Sequence, residues 1–292
     1  MSKLITGLEK YGLDGKIIES IFSSPNKRTS KRKDTSQQKQ EGVPVEEDFL
    51  FLKSTMCPIC DNVFSTMAVK SGKARRLPPD FDLCPRFQYI DTNKYDVIFC
   101  NKCGYAAMSK DFLHISPGQR KLIREGVCKN FKPVEEKISD SAMDYDTAIE
   151  RHKLALYNSI VKHARMSEKG YECLKLAWLY RRKAEAIEDG TEVAANKELA
   201  IAFCKKEEQR FYENAYTGLL EAMKSENFPI CGMDQNTFDL LLATMSFNLG
   251  KLEDAARMVS SLIVSRTVST NIKNRAQDLK EMIIAEHQKK KK

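Results

Sequence analysis

The chain has 292 residues, of which 42% are hydrophobic and 30% are charged, and its formal net charge is +8. This length is sufficient for two modest domains with hydrophobic cores, and the composition is that of an ordinary globular protein. No apolar run reaches the roughly 18 residues that a membrane-spanning helix needs, and the charged N-terminal residues do not resemble a secretory signal. We therefore expect a cytoplasmic protein without membrane contact.

The first 48 residues divide into two segments of different composition. Residues 1–22 carry apolar side chains at spacings typical of one or two short amphipathic helices, which need another surface, in this chain or in a partner, to be stable. Residues 23–48 are polar and rich in Lys, Arg, Ser and Gln, which predicts a flexible basic linker. We expect this linker and the basic tail at 289–292 to be solvated, with contact to nucleic acid as the alternative.

Residues 49–115 contain two cysteine motifs, CPIC with Cys57 and Cys60, and CNKC with Cys100 and Cys103. Two CxxC pairs are the usual way to build a tetrahedral, all-thiolate site, since two thiolates separated by two residues can both reach one ion about 2.3 Å away. Four cysteines leave no position for water, so we predict one structural Zn²⁺. Gly104 follows the second motif, where glycine readily takes the positive φ that such a turn favours. A single CxxC pair also fits a thioredoxin-type redox site, but no βαβ context surrounds either pair.

The order of segments around these motifs predicts a zinc ribbon. Residues 63–69 read as a strand that leaves the first motif, and residues 95–99 form a β-rich run that enters the second. The insert between the motifs carries basic residues (Lys70, Lys73, Arg75, Arg76 and Arg86) and aromatic residues (Phe81, Phe87 and Tyr89). Such a mixture can bind single-stranded nucleic acid, but Asp80, Asp82 and Asp91 dilute its charge, and we expect a solvated ribbon.

The remaining cysteines and histidines do not form a recognisable catalytic pattern. Cys84 has no nearby cysteine and is expected to be a free thiol, with a substitute ligand or a reactive thiol as alternatives. His114 is not needed by a filled ligand shell. His152 and His163 lie on one predicted helix, share a face and have no carboxylate pattern beside them. The other single cysteines are expected to behave as small buried hydrophobes: Cys128, Cys173, Cys204 and Cys231.

Helical periodicity begins after residue 115. Ser116, Pro117 and Gln119 are typical of a helix start, in a connecting helix and bridge over 116–141. The region 142–292 predicts six helices, near 144–166, 168–188, 193–224, 235–249, 252–266 and 271–288. Their short connections favour antiparallel hairpins. One hairpin matches the small and large positions of a tetratricopeptide repeat at Leu242, Ala243, Gly250, Leu252, Ala255 and Val259.

The two cysteine segments also resemble a known family. CPICDNVFSTMAVKSGKARRLPPDFD, followed by YDVIFCNKCGYAA, is similar to the N-terminal signature of the bacterial domain of unknown function 2225 family. The resemblance is good over residues 55–107 and continues loosely through the helical part. It implies that the paired cysteines of the family correspond to Cys57, Cys60, Cys100 and Cys103, and that the helical half is the family's tetratricopeptide-like region. It implies no reaction.

We therefore predict a mainly α protein with a small β zinc ribbon and C-terminal antiparallel helical hairpins, tetratricopeptide-like in architecture. The predicted function is a non-enzymatic cytoplasmic scaffold whose helical domain binds a protein or peptide through a concave surface. A nucleic-acid-binding zinc ribbon is the alternative. A thiol redox protein, with a reactive Cys57 or Cys84, is the second alternative.

Overall fold

Three small antiparallel sheets of two strands each precede the helices. The computed structural model describes residues 9–12, 44–134 and 141–290. The strands are β1 (Leu50–Met56), β2 (Val63–Val69), β3 (Arg76–Leu77), β4 (Arg86–Phe87), β5 (Val97–Phe99) and β6 (Ala106–Met108). They pair as β1 with β2, β3 with β4 and β5 with β6. The protein is thus mainly helical with a small β segment around the cysteines, as predicted.

The cysteine motifs occupy the turns of the two larger hairpins. We call them hook one (residues 57–60), between β1 and β2, and hook two (residues 100–103), between β5 and β6. The strand pair next to hook one is Met56 with Val63, and the pair next to hook two is Phe99 with Ala106. The predicted strand leaving hook one and the predicted strand entering hook two are confirmed. Each is completed by a second strand into a hairpin of its own.

The helices occupy most of the C-terminal half. They are α1 (Pro117–Ile123), α2 (Tyr145–Val161), α3 (Met166–Asp189), α4 (Lys197–Ser225), α5 (Gln235–Asn248), α6 (Leu252–Val264) and α7 (Thr270–Lys290), and a π-helical turn (Arg124–Cys128) extends α1. None of them is long and apolar enough to cross a bilayer. The predicted start of α1 is confirmed, because Ser116 and Gln119 form a capping box there.

Two predicted helix boundaries are wrong. The helix predicted over 144–166 ends at Val161, and His163 beyond it has a left-handed backbone with φ 51°. His152 and His163 therefore do not share a helix face. The helix predicted from residue 193 begins at Lys197, because the Asn196 side chain accepts a hydrogen bond from the Leu199 N–H at 3.0 Å and caps it. Local capping decides where each helix stops or starts, and periodicity alone does not reveal it.

One hydrophobic core runs from the β segment into α2, α3 and α4. Buried residues of the same cluster include Cys57, Phe99 and Phe112 from the β segment and Leu154 and Trp178 from the helices. Most residues of α3 are buried, because α2, α4 and the insert between the hooks all pack on it. A metal centre at the hooks would therefore be packed against the helical core.

Helices α5, α6 and α7 carry a second cluster. Ala243 and Ala255 are fully buried where α5 and α6 meet, and Gly250 between the helices has φ 71°. Small residues permit a close helix approach, and glycine takes this φ without the penalty that a Cβ imposes. These features were predicted for the hairpin, whose likeness to a tetratricopeptide repeat remains a prediction.

Before residue 50, both of the described stretches, residues 9–12 and 44–49, contact the body. Tyr11 is buried, with its ring stacked on Phe131 at 5.5 Å, and its carbonyl accepts a hydrogen bond from the Lys132 N–H at 2.9 Å. The other residues of the predicted N-terminal helical segment, and residues 23–43 of the predicted linker, lie outside the described residues. The last linker residues instead form a 3₁₀ turn in which Glu46 pairs with Lys94 at 2.6 Å.

Candidate metal centre

Hook one is a tight knuckle held by its own backbone. The Cys57 N–H donates to the Asn62 carbonyl at 2.9 Å, and the Asp61 N–H donates to the Cys57 carbonyl at 3.0 Å. Asp61 has φ 57°, a left-handed conformation that Asp tolerates better than most residues. The chain reverses here within a few residues, which directs both thiols of the hook to one side.

Hook two repeats this arrangement. The Cys100 N–H donates to the Tyr105 carbonyl at 2.8 Å, and the Gly104 N–H donates to the Cys100 carbonyl at 2.9 Å. Gly104 has φ 78° and stands where Asp61 stands in hook one. The predicted positive φ at Gly104 is confirmed. The two hooks are therefore equivalent knuckles at the tips of separate hairpins.

The hooks bring four thiols together. The Sγ atoms of Cys57 and Cys103 are 3.6 Å apart, and those of Cys60 and Cys100 are 3.7 Å apart. All four ligand atoms lie within 4.8 Å of one another. Four sulfurs at 2.3 Å from a tetrahedral ion are separated by about 3.8 Å, whereas a disulfide needs about 2.05 Å. The thiols are free and are spaced as a metal site requires.

The thiols are close enough to shift one another's pKa values. Hydrogen bonds from Cys103 and Cys57 lower the pKa of the Cys100 thiol. The hydrogen bond that Cys57 makes to Cys100 raises the pKa of Cys57. One thiolate is thus stabilised by its protonated neighbours, and a cation would take over that role by displacing their protons.

Hook two is supported by the helical core. A Cβ built on Gly104 would lie 2.4 Å from the Phe131 ring, so the ring packs directly on the glycine. The Asn158 side-chain amide, buried on α2, donates to the Gly104 carbonyl at 3.0 Å. These contacts fix the knuckle from behind and tie its position to α2.

Hook one is supported by the π-helical turn after α1. The Arg124 guanidinium donates from Nε and Nη2 to the Ile59 carbonyl at 3.3 and 3.1 Å. Cys128, at the end of the same turn, lies within hydrogen-bonding reach of the Cys103 thiol. Cys128 was predicted to be an ordinary buried cysteine. Its position could not be predicted because it is remote in sequence from both hooks and belongs to no CxxC pair.

Cys84 is separate from the four-cysteine cluster. It is fully buried in the insert, and burial together with the nearby Asp82 and Asp80 carboxylates raises its pKa well above the usual range. Cys57 is also fully buried. A redox thiol needs access and a stabilised thiolate, and neither of these two residues meets both requirements.

His152 lies in the core, and His114 lies outside the thiol cluster. His152 is fully buried, with Nδ1 2.6 Å from a Glu172 carboxylate oxygen and Nε2 3.0 Å from the Asn93 carbonyl. Both ring nitrogens are thereby satisfied inside the core, as predicted. His114 is not among the residues of the four-thiol cluster.

The basic and aromatic residues of the insert do not form one surface. Arg86 makes paired hydrogen bonds of 2.6–2.8 Å to Asp80 and to Glu185 of α3. Lys70 and Lys73 both donate to the Asp48 carbonyl at 2.9 Å. Arg75, Arg76 and Lys73 are exposed, and none of the three has an ion-pair partner among the described residues. The pattern expected of a nucleic-acid-binding ribbon is therefore dispersed.

The acidic residues of the insert hold it on α3. Asp82 is buried and accepts hydrogen bonds from the Trp178 indole at 3.1 Å and from Arg181 at 2.7 Å. Asp91 likewise accepts from Arg182 at 3.2 Å. In the sequence these carboxylates only diluted a basic stretch. In the structure they are the contacts that fix the insert, and through it both hooks, on the helices.

The protein is thus a mainly helical protein that carries a four-cysteine metal-site candidate at the tips of two β-hairpins. The chain matches, over residues 50–283, the model of a family described as an uncharacterised protein conserved in bacteria, the domain of unknown function 2225 family. The match covers most of the chain, so the protein belongs to this family. No curated protein and no solved structure matches it.

Proposed function

We propose that the protein is a non-enzymatic interaction scaffold whose hairpins are held together by one structural Zn²⁺. The four closely spaced thiols carry this proposal, because a complete Cys₄ set binds Zn²⁺ tightly and leaves no coordination position for a substrate or water. Three of the four cysteines are buried and Cys60 is half-buried, which fits a structural ion. The ion would link two hairpins that share few other contacts with each other.

The surface proposed for a protein partner lies at the tip of the α3–α4 hairpin. Val193, Leu199 and Phe203 are 94%, 68% and 56% exposed there, at the start of α4 and in the connection before it. Leu199 and Phe203 are four residues apart and therefore lie on one face of the helix. Exposed apolar side chains grouped in this way are typical of a contact surface for another protein.

A location in the cytoplasm is part of this proposal and is supported by the nine free cysteines. Nucleic-acid binding is not advanced as a second function, because Arg86 is paired with carboxylates and Lys70 and Lys73 are hydrogen-bonded to the Asp48 carbonyl, so the basic side chains of the insert do not act as one set. A reaction is not proposed either, since His152 is fully buried with both ring nitrogens bonded inside the core, and Cys84 is fully buried.

Metal analysis of the purified protein tests the first half of the proposal. We expect one Zn²⁺ per chain by mass spectrometry and loss of folding when a strong chelator removes it. Protein that contains no metal, and that folds equally well after all four hook cysteines become serine, would overturn it.

Affinity capture from the source cells tests the second half. We expect proteins recovered with the wild-type chain to be lost with Leu199→Glu. Val264→Glu, at a 79% exposed position on α6, is the matched control and should retain them. Equal recovery of these proteins with both variants would show that the α3–α4 tip is not the binding surface.

A further inference from the structure

A shallow groove runs beside the metal hooks, along the side of β2 that faces away from β1. One wall consists of residues 62–65, and the other consists of Asn101 and Lys102 of hook two with Pro133 and Val134. The Val134 N–H donates to the Asn101 carbonyl at 3.2 Å, which joins the two parts of the far wall. The groove is therefore bounded by a strand edge on one side and by the metal centre on the other.

The strand edge in this groove has unused backbone groups. At the ends of the β1–β2 ladder, the Cys57 N–H donates to the Asn62 carbonyl and the Lys70 N–H donates to the Phe49 carbonyl. Hydrogen-bonded and non-hydrogen-bonded pairs alternate in an antiparallel ladder, so Val63 and Ser65 direct their N–H and C=O groups away from β1. No described residue outside the hairpin bonds to these groups. Val63 is also 65% exposed.

The charge of the groove is positive. Lys102 is the only charged residue of the lining, is exposed, and has no ion-pair partner among the described residues. A ligand carrying a carboxylate at this position would gain an ion pair. The chain's own segment at 13–43 contains more basic than acidic residues, so its charge does not suit this groove. A second copy paired through the same groove would offer Lys102 no carboxylate from the groove lining, because that lining contains no acidic residue.

We propose that this groove binds an extended acidic peptide segment of another protein, which adds to β2 as a third strand. The peptide backbone pairs with Val63 and Ser65, and one of its carboxylates meets Lys102. The inference rests on the proposed function only in requiring the metal-organised hairpins. It concerns a different surface from the α3–α4 tip, so it can be wrong even if the α3–α4 tip binds a partner as proposed.

The test uses the metal-loaded full chain and a short fluorescein-labelled peptide of alternating valine and glutamate. Ser65→Pro removes the outward N–H without removing a bond of the β1–β2 ladder. Ser54→Pro is the matched control, because Ser54 lies directly opposite Ser65 and directs its N–H to the other edge of the hairpin. We expect Ser65→Pro to weaken binding about tenfold, and Ser54→Pro to leave the affinity unchanged.

Charge and exchange measurements complete the test. Lys102→Glu should weaken binding about tenfold, whereas Lys53→Glu on β1 should not, and a valine–lysine peptide should not bind. In the wild-type chain the peptide should slow amide exchange at Val63 and Ser65 but not at Ser54. Metal content measured for each variant separates loss of the groove from loss of the hairpins. If Ser65→Pro loses its metal, the charge variants and the exchange data still decide.

Several results would overturn the inference. They are the absence of valine–glutamate peptide binding, equal binding of the lysine peptide, equal effects of Ser65→Pro and Ser54→Pro, and unchanged exchange at Val63 and Ser65. Concentration-dependent dimerisation of the free chain that protects Val63 and Ser65 would assign the groove to a second copy instead.

Discussion

Hook one and hook two have the same backbone hydrogen bonds but different surroundings. Gly104, which closes hook two, lies under the Phe131 ring, and its carbonyl accepts from the buried Asn158. Asp61, which closes hook one, is exposed, and the nearby carbonyl of Ile59 accepts hydrogen bonds from the exposed Arg124. The CxxC motif therefore determines the backbone conformation of the knuckle, while the packing around it determines whether its closing residue must be glycine, as at Gly104, or can carry a side chain, as at Asp61.

The difference also divides the roles of the two hooks. Both hooks contribute buried residues to one core, but hook two is also packed under Phe131 and bonded to Asn158 of α2, so it ties the thiol cluster to the helices. Hook one carries the half-buried Cys60 and leads into the exposed edge of β2. We expect the two hooks to respond equally to loss of a thiol and unequally to every other change.

Removing a thiol has the largest expected effect and is the same in both hooks. Cys60→Ser and Cys100→Ser each leave three thiolates, and structural Zn²⁺ contributes on the order of 10 kcal/mol of apparent free energy in small zinc domains. We expect both variants to lose the metal and the folded β segment. Metal content and circular dichroism measure the two losses. Retention of metal by only one variant would show that the hooks are not equivalent as ligands.

Cys84→Ser is the control for this comparison. Cys84 is as buried as Cys57 but lies outside the four-thiol cluster. The variant should keep its metal and lose about 1 kcal/mol of stability, because a hydroxyl replaces a buried thiol. Loss of metal on this substitution would mean that Cys84 is a ligand after all.

Alanine at the closing residue should lower the stability of the protein much more in hook two than in hook one. In Gly104→Ala the new Cβ meets the Phe131 ring in a left-handed conformation, which together cost about 3 kcal/mol. Asp61→Ala places the same residue at the equivalent position, where a Cβ is already accommodated, and should cost less than about 1 kcal/mol. Denaturant unfolding of the metal-loaded variants measures both. Equal losses would contradict the role assigned to Phe131.

Removing the buried support of hook two has a smaller effect. Asn158→Ala leaves the Gly104 carbonyl without its side-chain donor in a buried place, which costs about 2 kcal/mol. The loss is limited because the Asn158 Oδ1 atom, which has no partner, disappears with the side chain. Unfolding free energy and the rate of metal transfer to a chelator are the measurements. An unchanged transfer rate would argue against coupling between α2 and the metal centre.

Removing the exposed support of hook one has the smallest effect. Arg124→Ala deletes two hydrogen bonds to the Ile59 carbonyl, but Arg124 is exposed and water can occupy the space that its side chain leaves, so the expected loss is below about 1 kcal/mol. The same two measurements apply. A loss as large as that of Asn158→Ala would reverse the assignment of hook two as the anchored one.

Local signals predicted the features that depend on few neighbouring residues. The four thiols were predicted from two CxxC spacings, and the start of α1 from Ser116 and Gln119. The end of α2 and the start of α4 were placed wrongly because periodic apolar residues continue past both points. Cys128 and Tyr11 could not be placed at all, since each reaches the metal region from a distant part of the chain.

The sequence was sufficient to predict the four-cysteine cluster, one strand beside each hook and the helical second half. Thiolate spacing and hydrophobic periodicity are properties of short segments, so they can be recognised without knowledge of the fold. The packing of the insert on α3 became evident only from the three-dimensional structure. In the sequence, Asp82 and Asp91 only reduce the net charge of a basic stretch. In the structure, they accept hydrogen bonds from Arg181, Arg182 and Trp178 of α3. Buried ion pairs depend on partners far apart in sequence, and folding alone brings them together.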